Sequence, residues 1–335
     1  MKAICRIAAA LSLLLVGLLV GLLPGLSTGS ALAQTSYPDQ PVRILVGFTP
    51  GTAPDVSARI LADKFTEAWG RPVIVENITG ASGNIACDRV AKSPPDGYTL
   101  TMCGNGNLIM GPSLYEKLPF DSIKDFTPIT QIFVAANILA VHPDVPARNV
   151  TELVALARAE PQRLIYGHTG VGTSQHMAGE LFKYMAKISM QPIAYRGSTA
   201  VLPDLLAGRL SLSFSNVVNV LPLVREGKLR AFAVTSRKRS AAAPDIPTMD
   251  ELGYPGFEAV PWFGLLAPAG TPPAIIEKIH REAVRVLALP DVRRRLEDLG
   301  LDVIGSSPAE FGALIAKEIP EWGKVIKEAG IKASE

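Results

Sequence analysis

The run Val42-Arg-Ile-Leu-Val-Gly-Phe48 is followed by a loop, Thr49-Pro-Gly-Thr-Ala53, and then by Pro54, Asp55 and Val56-Ser-Ala-Arg-Ile-Leu-Ala62. An apolar, β-branched run bounded by turn residues predicts a buried strand. Pro54 at an early helical position and Asp55 near the positive helix end predict a helix start. Strand, small-residue loop and helix start together leave free backbone N–H groups at the carboxyl end of a strand. Open α/β sheets bind ligands there, and a helix N-terminus favours an anion. The same device recurs at Gly80-Ala-Ser-Gly83, Gly104-Asn-Gly-Asn107, Gly170-Val-Gly-Thr-Ser174 and Arg196-Gly-Ser-Thr199.

Strand and helix patterns alternate along most of the chain. Strands are expected at 42–48, 73–77, 98–103, 129–134, 137–142, 164–166, 191–195, 210–214, 229–234 and 262–266. Helices are expected at 54–69, 83–92, 150–159, 173–187, 199–206, 217–226, 273–288, 291–299 and 308–328. Such alternation predicts parallel sheets covered by helices. Two units are expected: lobe 1 from residues 34–133 and 232–335, and lobe 2 from residues 134–231. A chain that crosses twice between lobes makes a hinged clamshell, and clefts between domains are common ligand sites.

At the N-terminus, Lys2 and Arg6 precede an apolar run from Ile7 to Leu23, a break at Pro24-Gly25, and Ala31-Leu-Ala33. This order predicts a secretory signal peptide over residues 1–33, cleaved after Ala33, and so a periplasmic location. The apolar run also approaches the length of a short membrane span, but the break and the cleavage site favour the signal peptide. Cys5 lies before the apolar core and is badly placed for lipid attachment. Removing 33 of the 335 residues leaves 302, with 31 Lys plus Arg against 31 Asp plus Glu. Formal neutrality argues against nucleic acid or an acidic membrane surface as the main partner.

Cys87 and Cys103 are the cysteines left, with no zinc-like Cys/His spacing and no C-x-x-C. In a right-handed strand–helix–strand unit, the first turns of helix 83–92 and the end of strand 98–103 share one edge of the sheet. Export permits a disulfide between them. Two buried free thiols acting as small apolar fillers are the alternative.

Several motifs in a fixed order carry a family resemblance. They are Phe48-Thr-Pro-Gly51 with Asp55 and Arg59, Glu76-Asn77 with Gly80-Ala-Ser-Gly-Asn-Ile85, and Pro95-Asp-Gly-Tyr-Thr-Leu100. Tyr166-Gly167 with Gly170, Gly172-Thr173 and His176 follows, then Tyr195-Arg-Gly197 with Asp204 and Gly208, and Trp262-Phe-Gly264 with Ala267-Pro-Ala-Gly-Thr-Pro272. Over essentially the whole mature chain, this set resembles the Bug-type periplasmic solute receptors of tripartite tricarboxylate transporters. The resemblance implies a type II periplasmic binding protein, an α/β fold of two Rossmann-like lobes joined by crossover strands. It implies a small carboxylated solute, held largely by backbone amides, hydroxyls and water, and docking on membrane transporter subunits. The reading has no cofactor, no metal, no nucleic acid and a monomer. The sequence departs from the family pattern at Thr52, Ser82, His168 and Ser215-Asn216; side chains at Thr52 and His168 are expected to reshape the cleft.

The candidate ligand-binding residues are Phe48, Thr49, Gly51, Thr52, Ala53, Asp55, Asn105, Asn107, His168, Gly172, Thr173, Ser174, Tyr195, Arg196 and Asn216. Structural roles compete with several of them. Asp55 is placed to cap its helix and pair with Arg59 one turn on. Phe48 can end a core strand, Asn105 and Asn107 can serve as turn residues, and Thr173 and Ser174 as N-caps. Arg196 can be a solvated loop arginine, and His176 packs inside a helix. A secreted hydrolase is the rival class, but Gly172-Thr-Ser174-Gln-His176 lacks the final glycine of a nucleophile elbow. Gly104-Asn-Gly106 likewise lacks the third glycine of a dinucleotide loop. A sensor subunit reporting to a signalling partner needs the same clamshell as an uptake receptor.

Overall fold

The computed structural model describes residues 37–195 and 198–332. The expected signal peptide and its cleavage site, Cys5, Arg196 and Gly197 lie outside the described residues.

The chain begins with β1 (Val42–Val46), α1 (Ala53–Trp69), β2 (Val73–Asn77), α2 (Asn84–Ala91), β3 (Thr99–Gly104), the short α3 (Gly111–Leu114) and β4 (Phe126–Ala135). A second run follows: β5 (Asn137–Val141), α4 (Val150–Ala159), β6 (Ile165–His168), α5 (Ser174–Ala186), β7 (Gln191–Ala194), α6 (Ser198–Leu206), β8 (Leu212–Asn216), α7 (Val217–Arg225) and β9 (Arg230–Val234). The chain closes with β10 (Trp262–Pro268), α8 (Pro273–Leu287), α9 (Pro290–Asp298), β11 (Leu301–Val303) and α10 (Pro308–Glu328).

Local chemistry sets these elements. Pro54 stands in the first turn of α1, and Gly70 ends it in the left-handed region at φ 64°, where glycine carries no Cβ penalty. Ala58, Leu61, Ala62 and Phe65 recur at helical spacing on the buried face of α1. They pack with Ile44 and Val46 of β1 and with Ile276, Ile279, Ala283 and Val286 of α8. A capping box at Ser307 and Glu310 opens α10, each side chain bonding the other's backbone N–H.

Two sheets result, with orders β11-β4-β10-β3-β1-β2 and β7-β6-β8-β5-β9. They are mixed rather than parallel, which corrects the expectation. β10 runs antiparallel to β3 and β4, and β5 antiparallel to β8 and β9. The physical reason lies in the crossings. β4 leaves the first sheet at the carboxyl end of its parallel strands, and Ala136 alone separates it from β5. A strand that enters a sheet from that edge must run away from it. β10 re-enters the first sheet under the same constraint.

The return to the first lobe, expected at residue 232, comes later. β9 pairs with β5 as far as Val234, and Met249, Phe257 and Ala259 are buried in the core of the second sheet. Apolar side chains therefore hold the segment up to about residue 259 on the second lobe. The crossing strands lie side by side: Ala135 N–H donates to Pro261 O at 2.8 Å, and Asn137 Nδ2 to Ala259 O at 3.3 Å. Sequence periodicity missed α3 and β11, four and three residues long, which are too short to show a period.

Cys87 of α2 and Cys103 of β3 form a disulfide with Cα atoms 6.4 Å apart, inside the range a bridge requires. It settles the question the spacing left open.

Candidate functional site

The carboxyl ends of β1, β3, β6 and β8 lead into Phe48–Thr52, Asn105–Asn107, Thr169–Thr173 and the start of α7. The first and third of these loops open the helices α1 and α5. The first-turn N–H groups of a helix have no intrahelical acceptor. Those of Ala53 and Asp55 in α1, and of Ser174 and Gln175 in α5, have no protein partner among the described residues.

The first loop is held from within. Asp55 is 1% exposed. Its carboxylate accepts from Gly51 N–H at 2.8 Å, Asn77 Nδ2 at 2.8 Å and Arg59 Nε at 3.1 Å. Burial pushes the Asp55 carboxyl up, but bonds from Arg59, Gly51 and Asn77 outweigh it and hold the group below the usual carboxylate range. Asn77 Nδ2 also donates to Phe48 O at 2.9 Å. Asp55 is thus the internal clamp of the loop, the structural role expected for it beside ligand contact. Thr52 precedes α1 and its hydroxyl donates to Thr49 O at 2.7 Å. Thr49 and Gly51 stand exposed, Thr52 and Ala53 partly so. The Phe48 ring packs edge-on against Phe263, centroids 5.2 Å apart.

Asn105 and Asn107 are also turned inward. Asn105 Nδ2 donates to Val260 O at 2.7 Å, on the crossing segment. Asn107 Nδ2 donates to Ser82 O at 2.9 Å and Asn84 Oδ1 at 2.8 Å. Both are buried, at 5% and 1% exposure, and their amides tie neighbouring segments together.

In the second lobe, the loop Gly170–Thr173 rests on two adjoining imidazoles, tilted by 41° to each other. His168 and His176 lie with ring centroids 4.4 Å apart. His168 Nδ1 lies 3.0 Å from Gly170 O and 3.3 Å from Gly170 N, and Gly172 N–H donates to His176 Nδ1 at 3.3 Å. His168, expected to touch ligand, is 2% exposed and acts on the loop through Nδ1. Burial holds both imidazoles below their ordinary range, that of His176 down to about 3 with the neighbouring His168 and Lys183 acting the same way.

Thr173 caps α5 by accepting from His176 N–H, and its hydroxyl donates to Gly170 O at 2.7 Å. The Thr173 proton is therefore committed within the loop. Ser174 Oγ accepts from Asn137 Nδ2 at 3.2 Å, and its hydroxyl donates to Gln175 Oε1 at a longer 3.4 Å. Gly172, at φ 78°, takes a conformation that L side chains rarely adopt. Tyr195 is half-buried, and its hydroxyl donates to Asp204 at 2.7 Å. Burial and that bond push the Tyr195 phenol up to about 12. Asn216 caps α7 through Val218 N–H at 3.2 Å.

The two lobes meet at these loops. Ser82 Oγ donates to Val171 O at 3.1 Å, and a Cβ built on Gly106 would lie 3.0 Å from Gly172 O. Ser82 sits at φ 55°, a conformation unusual for a residue with a side chain. Sequence reading noted Ser82 as a departure from a loop glycine but did not place it at the site. It passed over Asn137, whose partners Ser174 and Ala259 lie far along the chain.

A family model described as "Tripartite tricarboxylate transporter family receptor" matches residues 57–331. Protein BugT of Bordetella pertussis is 35% identical over 298 residues, 89% of this chain and 91% of its own length. The solved structure described as "R. palustris Rpa4515 with adipate" is 35% identical with a TM-score of 0.81, over 88% of this chain and 98% of the other. The periplasmic binding protein BugD gives 32% identity and a TM-score of 0.79, over 88% of this chain and 100% of the other. The chain belongs to the receptor family of the tripartite tricarboxylate transporters and has the two-lobed architecture of their periplasmic binding proteins.

Proposed function

We propose that the mature chain, exported and cleaved after Ala33, captures a small organic carboxylate between its two lobes and presents it to membrane subunits of a transporter. Lobe 1 comprises residues from 34 to about 135 and from about 261 onward, and lobe 2 the chain between. The observation that carries the reading is the pair of α1 and α5 N-termini, whose unpaired N–H groups sit in loops at the junction of the lobes. Fixed amide dipoles of this kind favour an anion without a charged side chain. Adipate bound to a relative of the same fold is a carboxylate solute of this class.

A ligand that binds only the folded, closed form raises the unfolding temperature by linkage. A thermal-shift panel of mono- and dicarboxylates against neutral sugars and amines tests the reading. At least one acid is expected to stabilise the protein, with a micromolar Kd corresponding to about −8 kcal/mol. Stabilisation by sugars or amines and by no acid sinks it.

Ser174 is expected to turn its proton from Gln175 Oε1, 3.4 Å away, to the solute carboxylate. A hydrogen bond to a charged group contributes about 1.5–3 kcal/mol. Ser174→Ala should therefore weaken acid binding by about tenfold or more, with the circular-dichroism spectrum unchanged. Calorimetry showing equal affinities would remove Ser174 from the site.

A further inference from the structure

α10 belongs to the first lobe but reaches the second. Phe311 and Ile315 in its first half are buried with Trp262 of β10. Nearer its end, Trp322 and Val325 also pack against the core of the second sheet, and the Tyr184 hydroxyl of α5 donates to Glu328 at 2.8 Å. The helix is therefore a strap that touches both lobes. Beside it lies a cavity of about 150 Å³. Trp262, Glu318, Glu321 and Trp322 line it from the first lobe, and Arg237 and Glu258 from the second.

Three carboxylates thus face one space between the lobes. Arg237 is paired with Glu258 and answers to Asp250 as well. Lys317 stands 4.0 Å from Glu321 on α10 itself. On α5, Glu180 and Lys183 pair with each other at 2.8 Å. β4, α3 and the segment Gly106–Met110, also packed on α10, carry no charged residue. Glu318 is half-buried, and the donor it meets among the described residues is the Trp262 indole, Nε1 to Oε2 at 2.9 Å. One neutral donor does not offset the cost of holding a charge in a half-enclosed space beside two like charges. Burial, then Glu258 and Glu321, lift the Glu318 carboxyl to about 7, against the opposing pull of Trp262 and Lys317.

We propose that Glu318 is a proton-operated latch between the lobes: with its proton it shares the cavity with Glu258 and Glu321 and holds the arrangement seen here, and without it repulsion drives α10 and the Glu258 segment apart. That segment continues into Val260, whose carbonyl accepts from Asn105 of the first lobe. A shift at the latch therefore turns one lobe against the other and loosens the contact of Ser82 with Val171 across the junction. An arrangement that wets Glu318 returns it to an ordinary carboxyl, near about 4.3. Between that value and about 7 the arrangement seen here binds more protons. It is favoured at low pH and lost as pH rises through about 7.

Small-angle X-ray scattering of the ligand-free mature protein from about pH 5.5 to about pH 8.5 tests the latch. Tryptophan emission is followed in parallel, because Trp262 and Trp322 both line the cavity. The radius of gyration should rise with pH, with a midpoint near about 7 shared by the emission change, as the ratio of open to closed forms grows at least about fivefold. Glu318→Gln keeps an acceptor for the Trp262 indole and cannot titrate, so it should hold the low-pH radius throughout. Glu258→Gln removes a like charge and should move the midpoint down. A constant radius in the wild type, with or without an emission midpoint, overturns the proposal, as does a rise that Glu318→Gln retains. Should Glu318→Gln fail to fold, Glu258→Gln decides, and an unmoved midpoint there overturns the latch. No solute enters these measurements, so their outcome is independent of the carboxylate reading.

Discussion

The Cys87→Ala, Cys103→Ala double variant is expected to unfold about 3 kcal/mol more easily than the oxidised protein, and to melt about 6 °C lower. The bridge spans a sequence separation of 16 residues. In the chain-entropy model, closing a loop of about 15 residues removes about 3 kcal/mol of freedom from the unfolded chain. Both cysteines are buried, at 1% and 0% exposure, among Leu45, Ala86, Val90 and Leu108. Alanine is chosen because a serine hydroxyl there would add the separate cost of a buried polar group. Urea titration distinguishes the mechanism. A cross-link acts on the unfolded ensemble, so removing it should raise the m-value as the unfolded chain expands. Cys103 lies at the end of β3, just before the helical segment Gly106–Met110 that Asn105 precedes and that contains Asn107, so the bridge ties α2 to the strand that positions the Asn107–Ser82 contact. An oxidised wild type and a double variant with the same midpoint and m-value would show that the bridge contributes nothing.

Strand and helix positions were legible because they are local properties. The apolar run at β1, and Pro54 and Gly70 around α1, act over a few neighbours. The strand directions were not. β10 lies beside β3 although more than 150 residues separate them in the chain, and no period in either segment announces an antiparallel insertion. The loops that open α1 and α5 were found from glycine spacing and helix-start chemistry alone. What the sequence did not reveal was the long-range partners of the polar side chains. Asp55 is committed to Asn77, 22 residues away, and Asn105 to Val260, 155 residues away. Turn composition cannot reveal such partners, because they are brought to the loop by packing of the other strands. Asn137 escaped notice for the same reason. Its environment is made by Ser174 and Ala259, which reach it only when both crossings are in place.

Acidification from pH 7 to pH 5 is expected to destabilise the fold by about 2 kcal/mol through His176 alone. Burial, then His168 and Lys183, hold the folded imidazole at about 3, whereas an unfolded histidine takes up its proton near about 6.5. Between those values the unfolded chain binds more protons than the folded one, so stability rises with pH there. The contribution is complete above about pH 6.5 and is lost as pH falls toward the folded value, at about 1.4 kcal/mol for each pH unit. His168 is shifted in the same direction by burial, against the opposing influence of Gly170 O and Glu180, and steepens the loss. Neutral His176 accepts from Gly172 N–H at Nδ1, and a proton there would remove that acceptor beneath the loop that opens α5. In His176→Asn, Oδ1 stands near the position of Nδ1 and cannot titrate. That variant should keep the loop while its unfolding free energy, measured in urea at several pH values, falls less steeply by about 1.4 kcal/mol per pH unit between pH 6 and pH 4. Identical slopes in wild type and variant would mean that His176 takes its proton in the folded state as readily as in the unfolded one.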